Sequence, residues 1–317
     1  MKKIYILLFM IFTTVFTGCT YNKNVAIKKS VATEENVEKI EDIDVFEKEN
    51  NRLIELIDKK TNEVLGDYKD NVAVYFKNLN TDEEYTLNAD NYYVSASTSK
   101  VPLSMMILDE VMNGDKSLDD LLYFSEEDKE MGSGVLYKLD EIPDITINEA
   151  IYLSIVNSDN IAKNMLSRVA ETSINDYMKE VTKDNNIPEG NYTTARQLGI
   201  LLNELYENPD NNPYYNILIE YMTKTTYHDR LDKYLDYDKV AHKIGNYYRY
   251  YHDMGIIYGE VPYIFVVLTK DIGELSIEPF EDGGEEERYL LDWGEEACEL
   301  IASLSREIYR VVEENKM

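Results

Sequence analysis

The sequence predicts an α+β chain: an antiparallel sheet built from both chain ends, flanked by helices, with an all-helical subdomain inserted. Three observations carry that expectation. Val72, Val74 and Phe76 alternate early in the chain as a half-buried strand would. Strand character returns only late, at residues 239–243, 255–258 and 263–269, where the run Ile264-Phe265-Val266-Val267-Leu268 is apolar enough for burial on both faces. Between them, Leu118 to Leu205 reads as helical and contains no convincing strand.

Taken in order, the chain opens with Lys2 and Lys3, an apolar stretch from Ile4 to Phe16, and Thr17-Gly18-Cys19. Thirteen helical residues rise about 20 Å, short of a hydrocarbon core of about 30 Å, so the segment reads as an export signal rather than a span. Small residues before a cysteine resemble a bacterial lipobox, although Phe16 stands where Leu is more usual. The resemblance implies removal of residues 1–18, lipidation of Cys19 and attachment to the extracytoplasmic face of a membrane. Residues 19–47 are polar, rich in Glu and Asp and nearly free of aromatics, and read as a tether. The remainder, 48–317, is long enough for one domain with an interleaved helical subdomain at about 115–225. Cys298 would then be the remaining cysteine, without an intramolecular disulfide partner, and is expected as a buried structural thiol.

A helix is expected from about Val45 to Leu65, then the strand at 72–76, a turn over Asn78–Glu84 and a return strand at 85–87. Val101, Met105, Leu108 and Met112 recur at helical spacing until Asn113-Gly114 ends the run, with Pro102 near its start because a proline inside a helix removes a donor and clashes. A closing acidic helix carries Leu290, Ala297, Leu300, Ile301, Leu304, Ile308 and Val311 on its apolar stripe. The formal charge of −29 argues against a nucleic-acid partner, whose phosphates require clustered Lys and Arg.

Chemistry concentrates in three strings: Ser97-Thr98-Ser99-Lys100, Ser158-Asp159-Asn160 and Lys243-Ile244-Gly245. A serine hydroxyl needs a base within hydrogen-bond reach, and Ser97 and Lys100, three apart on a helix, share a face. Lys100 can be that base if burial and the cation of Lys243 lower its pKa. Lys243, expected at the end of a strand, could attract a substrate carboxylate and support Ser158, while Gly245 lets backbone approach closely. Ser158-Asp159-Asn160 also suits a helix N-cap.

With 60 residues between Ser97 and Ser158 and 84 between Ser158 and Lys243, the ordered set resembles the class A β-lactamase-related serine hydrolases, which share these motifs with penicillin-binding proteins. The resemblance runs over roughly residues 50 to 315 and includes Gly132-Ser133-Gly134, Asn191-Tyr192-Thr193-Thr194 and His252-Asp253-Met254-Gly255. It implies acyl transfer through a Ser97 ester, with Ser158 shuttling a proton to the leaving nitrogen and Asn160 holding the substrate's acyl amide. Backbone N–H groups of Ser97 and Asn246 would form the oxyanion hole. It implies a β-lactam or peptidoglycan-peptide-like substrate, no cofactor and a monomer.

Two departures temper the expected activity. Ile244 stands where the family has Thr or Ser, removing a hydroxyl for a substrate carboxylate. Only 32 residues separate Asn160 from Thr193, too few for the loop that carries the deacylating glutamate, and neither Glu171, with its Asn175 spacing, nor Glu189 is in register. Weak or absent β-lactam turnover is therefore expected, with a D,D-peptidase or esterase-like enzyme, or a non-catalytic binding lipoprotein, as alternatives. His228, His242 and His252 are scattered in sequence without paired carboxylates at ligand spacing, so no metal site is expected. Of the 27 tyrosines, the run Tyr247-Tyr248-Arg249-Tyr250-Tyr251 is placed near the cleft beside the Lys243 strand.

Overall fold

The long strands of this protein are buried on both faces, and that decides the layering. In the computed structural model, residues 52–276 and 294–315 are described, all within the unit Glu47–Met317. The signal at 1–18, Cys19, the tether at 19–47 and Leu290 lie outside the described residues. The elements run α1 (52–65), β1 (Val72–Asn78), β2 (Glu84–Leu87), β3 (Tyr93–Val94), α2 (Lys100–Asn113), β4 (Leu121–Leu122), β5 (Ile145–Thr146), α3 (Ile147–Val156) and α4 (Asn160–Val169). They continue with α5 (Ile174–Thr182), β6 (Tyr192–Thr193), α6 (Ala195–Glu207), α7 (Tyr215–Thr223), β7 (Val240–Tyr247), β8 (Tyr250–Ile257), β9 (Tyr263–Lys270) and α8 (Glu295–Glu314).

The main sheet has the order β2-β1-β9-β8-β7, antiparallel throughout, so β1 from the first part of the chain pairs directly with β9 from the last. Its two faces bury separate cores. Ala73, Tyr75, Met254, Ile264, Val266 and Leu268 pack with α2–α7. Val72, Val74, Phe76, Tyr263, Phe265 and Val267 pack with α1 and α8, including Leu53, Ile57, Ile301, Leu304 and Ile308. The expected half-buried β1 is thus buried on both sides, because α6 covers the second face: a Cβ on Gly199 would stand 2.2 Å from the Tyr75 ring. Fully buried Phe or Leu side chains each stabilise such a layer by about 1.5–3 kcal/mol.

Local signals explain the helix boundaries. Gly114, at φ 85°, ends α2 in the left-handed conformation that costs a glycine little. Capping boxes open α3 (Thr146 with Glu149) and α6 (Thr194 with Gln197). Two expectations change. The inserted subdomain is not all helical: β4 pairs with β5, and β6 pairs back to β3, through two-residue ladders too short to leave an alternating pattern. β7 and β8 run to Tyr247 and from Tyr250, so the tyrosine run is their hairpin and Lys243 sits in mid-strand rather than at its end.

Candidate active site

Ser97 lies on a 3₁₀ turn, Ala96–Ser99, that runs straight into α2. In such a turn residues three apart nearly eclipse, which carries the Lys100 ammonium to the Ser97 hydroxyl: Nζ to Oγ is 3.0 Å. The same Nζ donates to Ser158 O at 2.7 Å, Ser158 Oγ at 3.2 Å and Asn160 Oδ1 at 2.8 Å. Lys243 reaches Ser158 Oγ from the other side at 2.9 Å and its own neighbour's carbonyl, Ile244 O, at 3.1 Å. One hydroxyl therefore bridges two amines that the sequence places 143 residues apart.

Both lysines are buried, and among the described residues no carboxylate hydrogen-bonds to either. Burial pushes the Lys100 amine down to about 7, helped by the charge of Lys163 and opposed by Glu130 and Asp159. Lys243 is pushed well below the ordinary lysine range, first by burial and then by the charge of Lys100. Repulsion between the two lysines is mutual, and Lys163 adds a further cation that lowers Lys100.

The backbone around these groups is held in unusual conformations. Ala96 (φ 49°) and Ser158 (φ 53°) occupy the left-handed region although neither is glycine. Asp159 holds the Ser158 turn in place: its carboxylate accepts from Val135 N (2.6 Å), Leu136 N (2.8 Å) and, as the N-cap of α4, Ala162 N (3.0 Å). Gly134 makes this possible, since a Cβ there would lie 2.1 Å from the Asp159 carboxylate. Asn160 is committed at both ends, accepting from Lys100 and donating from Nδ2 to Met131 O at 3.3 Å.

Gly245 serves a closer neighbour than substrate. A Cβ there would stand 3.0 Å from Ser95 O and 3.2 Å from Thr98 N, so its bare backbone lets β7 approach the Ser97 turn. Alternation puts Lys243 and Gly245 on one face of β7, and Ile244 and Asn246 on the other. Ile244 is buried, opposite Asp253 in the β7–β8 register. The tyrosine run divides: Tyr250 packs edge-on against Tyr93 near the Ser97 turn, whereas Tyr251 is buried beneath Arg230 on the α8 side.

A model of the Beta-lactamase enzyme family matches residues 56–312. The chain belongs to the Beta-lactamase enzyme family. As a member of this family of serine hydrolases it shares its fold with PBP-A, at TM-score 0.68 and 21% identity over 82% of this chain and 96% of that one. A class A β-lactamase from Bacteroides cellulosilyticus is similar at TM-score 0.69 and 19% identity over 83% and 99% of the two chains. A β-lactamase from Sphaerobacter thermophilus is similar at TM-score 0.66 and 19% identity over 82% and 96%. No curated protein sequence matches the chain.

Sequence reasoning missed several residues of this β-lactamase-family site. His252 is neutral and fixed: Thr269 N donates to its Nδ1 at 3.1 Å, so Nε2–H donates to Val94 O at 2.8 Å, tying β8 to the strand before Ser97. Burial pushes its pKa down to about 4. Arg230, fully buried, donates to His252 O at 2.7 Å and braces the far side of the same strands. His228 and His242, read as scattered, come together around Asp232. The available signal was the carboxylate four residues after His228. Cys298 is a buried thiol, pushed up to about 11 by burial, against Arg230 Nε at 3.2 Å.

Proposed function

We propose that this protein is an exported, lipid-anchored serine hydrolase that transfers acyl groups through a Ser97 ester and turns β-lactams over slowly or not at all. The observation that carries the reading is the 3.0 Å contact between Ser97 Oγ and a Lys100 amine whose burial brings it to about 7. At neutral pH much of that amine is uncharged and can take the serine proton as Oγ attacks an amide carbonyl. Backbone N–H groups of Ser97 and Asn246 would stabilise the oxyanion.

Ser158 Oγ, within 3.2 Å of Lys100 and 2.9 Å of Lys243, has the geometry to pass that proton to the departing nitrogen. Lys243 donates to the Ser158 hydroxyl and keeps it polarised, and in its ammonium form would attract a substrate carboxylate. Asn160 holds Lys100 in its working direction through Oδ1, and would exchange its Nδ2 contact with Met131 O for the substrate's acyl amide. The substrate class is a β-lactam or a peptidoglycan-peptide-like amide. A PBP-A variant, 22% identical to this chain, is described as an acyl-enzyme with penicillin G, which supports the choice.

Slow turnover rests on what surrounds the ester. Among the described residues Ser97 has Lys100 as its side-chain partner, and the acidic candidates are engaged elsewhere or exposed. The Glu171 carboxylate is exposed and faces Lys116 at 3.9 Å, and Glu189 is exposed. Without a carboxylate to activate water the acyl-enzyme persists. Cys19 anchoring, the 1–18 signal, the 19–47 tether, the 48–317 domain and its helical part at about 115–225 belong to the same proposal.

Intact-mass analysis after exposure to several β-lactams and activated esters tests it. A stable single adduct, absent in Ser97→Ala, is expected. Rapid multiple-turnover nitrocefin hydrolysis would refute slow deacylation, and equal labelling of Ser97→Ala would refute the nucleophile. Loss of membrane partition in Cys19→Ala is expected in a bacterial host, and unchanged partition would refute the anchor.

A further inference from the structure

The face of β7 opposite Lys243 carries a second cluster that the acyl-transfer chemistry does not use. His228 and Asp232 sit on the segment between α7 and β7, and His242 lies in β7 paired with Gly255. One nitrogen from each histidine and one carboxylate oxygen all lie within 4.8 Å of one another. We propose that His228, Asp232 and His242 bind one borderline divalent cation of the zinc class, clamping the Arg230-bearing segment to the strand that carries Lys243.

The ring orientations favour a ligand. His242 Nδ1 faces both oxygens of Asp253, at 3.0 and 2.8 Å, which directs its other nitrogen toward Asp232. A carboxylate behind a histidine is the usual support for a metal-binding imidazole, because it fixes the tautomer and the ring. That outward nitrogen, Nε2, is 3.2 Å from Asp232 Oδ2 but lacks hydrogen-bond alignment with it. Asp232 Oδ1 is also without a hydrogen-bond partner, and both side chains are at most 1% exposed. Buried polar atoms are rarely left so.

Spacing and access agree. Atoms bound tetrahedrally at about 2.1 Å to one ion stand about 3.4 Å apart, close to the Asp232–His242 separation. His228 Nδ1 is 2.5 Å from Asp232 Oδ2, and its ring stacks on Tyr237 at 4.1 Å and 11°. At 33% exposure His228 has room to turn outward, and it opens the site to solvent for ion entry and a water ligand. Gly255 leaves the space that His242 occupies, since a Cβ there would be 2.8 Å from His242 Cβ. Two imidazoles and one carboxylate select zinc, cobalt or nickel over calcium or magnesium, which prefer all-oxygen shells. Alternation places the ion across the sheet from Lys243, so its role is to position the strand.

The test uses the full chain, stripped with chelator and titrated with Zn²⁺ and separately with Co²⁺, following heat and visible absorption. One ion per chain, cobalt bands of a four- or five-coordinate site, and a higher melting temperature with metal are expected. His228→Ala, at the exposed corner of the site, should bind at least tenfold more weakly while its circular dichroism and cooperative melting are retained. Asp232→Asn should lose binding as well. Absence of saturable binding by wild type would overturn the site, as would wild-type affinity in folded His228→Ala. Binding abolished by prior alkylation of cysteine thiols would also overturn it, by placing the ion elsewhere.

Discussion

Two neighbours in β7, His242 and Lys243, are both fully buried and both basic, yet their surroundings push them in opposite directions. Lys243 faces Ser158 and another lysine, with its pKa pushed well down by burial and Lys100. For His242 burial also opposes the charge, but Asp253 and Asp232 outweigh it and raise the group to about 10. Asp232 in turn would be raised by burial, and its contacts with His242 and His228 hold it below the usual carboxylate range. Desolvation is common to both sides of the sheet; the carboxylates are what differ. A buried amine becomes a usable base where no carboxylate is hydrogen-bonded to it.

The sharpest way to break this contrast is at the nucleophile. Ser97→Ala should abolish covalent labelling by an acylating serine probe, read by mass spectrometry. Lys100→Ala, which keeps the hydroxyl but removes the base, should slow acylation by about 10²–10⁴-fold in stopped-flow or quench measurements. On the carboxylate side, Asp253→Asn strips a buried partner from His242, and weakens its acceptance from Leu231 N at 3.0 Å and Met254 N at 2.9 Å. It should cost about 3–5 kcal/mol in urea denaturation, whereas a loss under 1 kcal/mol would show that the acid is not needed there.

Two milder experiments test the lysine side. The acylation rate should rise with pH through about 7, as Lys100 loses its proton and becomes competent to accept that of Ser97. Lys163→Ala removes a cation that lowers Lys100, so the ammonium form is favoured and the midpoint should move to higher pH, slowing acylation at neutral pH. A midpoint unmoved by Lys163→Ala would remove Lys163 as a cause of the low value.

Legibility in the sequence followed distance along the chain. Ser97 and Lys100 were readable because three-residue spacing fixes their contact locally, and Asp159 because cap chemistry is local too. The antiparallel sheet from both ends was readable from β-branched runs, but the second covered face of β1 was not, since it depends on Gly199 of α6 meeting Tyr75. Asn160 gripping Lys100, His252 pinning Val94, and the His228–Asp232–His242 meeting all depend on the packing of elements far apart in sequence, which local pattern does not encode. The β3–β6 ladder escaped for a different reason: two residues are too few to show a period.

The left-handed turn at Ala96 carries an evolutionary consequence. A non-glycine residue at φ 49° costs about 1–2 kcal/mol relative to one at ease, so Ala96→Gly is an accessible stabilising change one residue before the nucleophile. Selection for thermal tolerance alone would drift toward glycine there, and selection for a fixed hydroxyl direction would hold the alanine. In a randomised library, the frequency of glycine at position 96 therefore reports which of those two pressures the population has experienced.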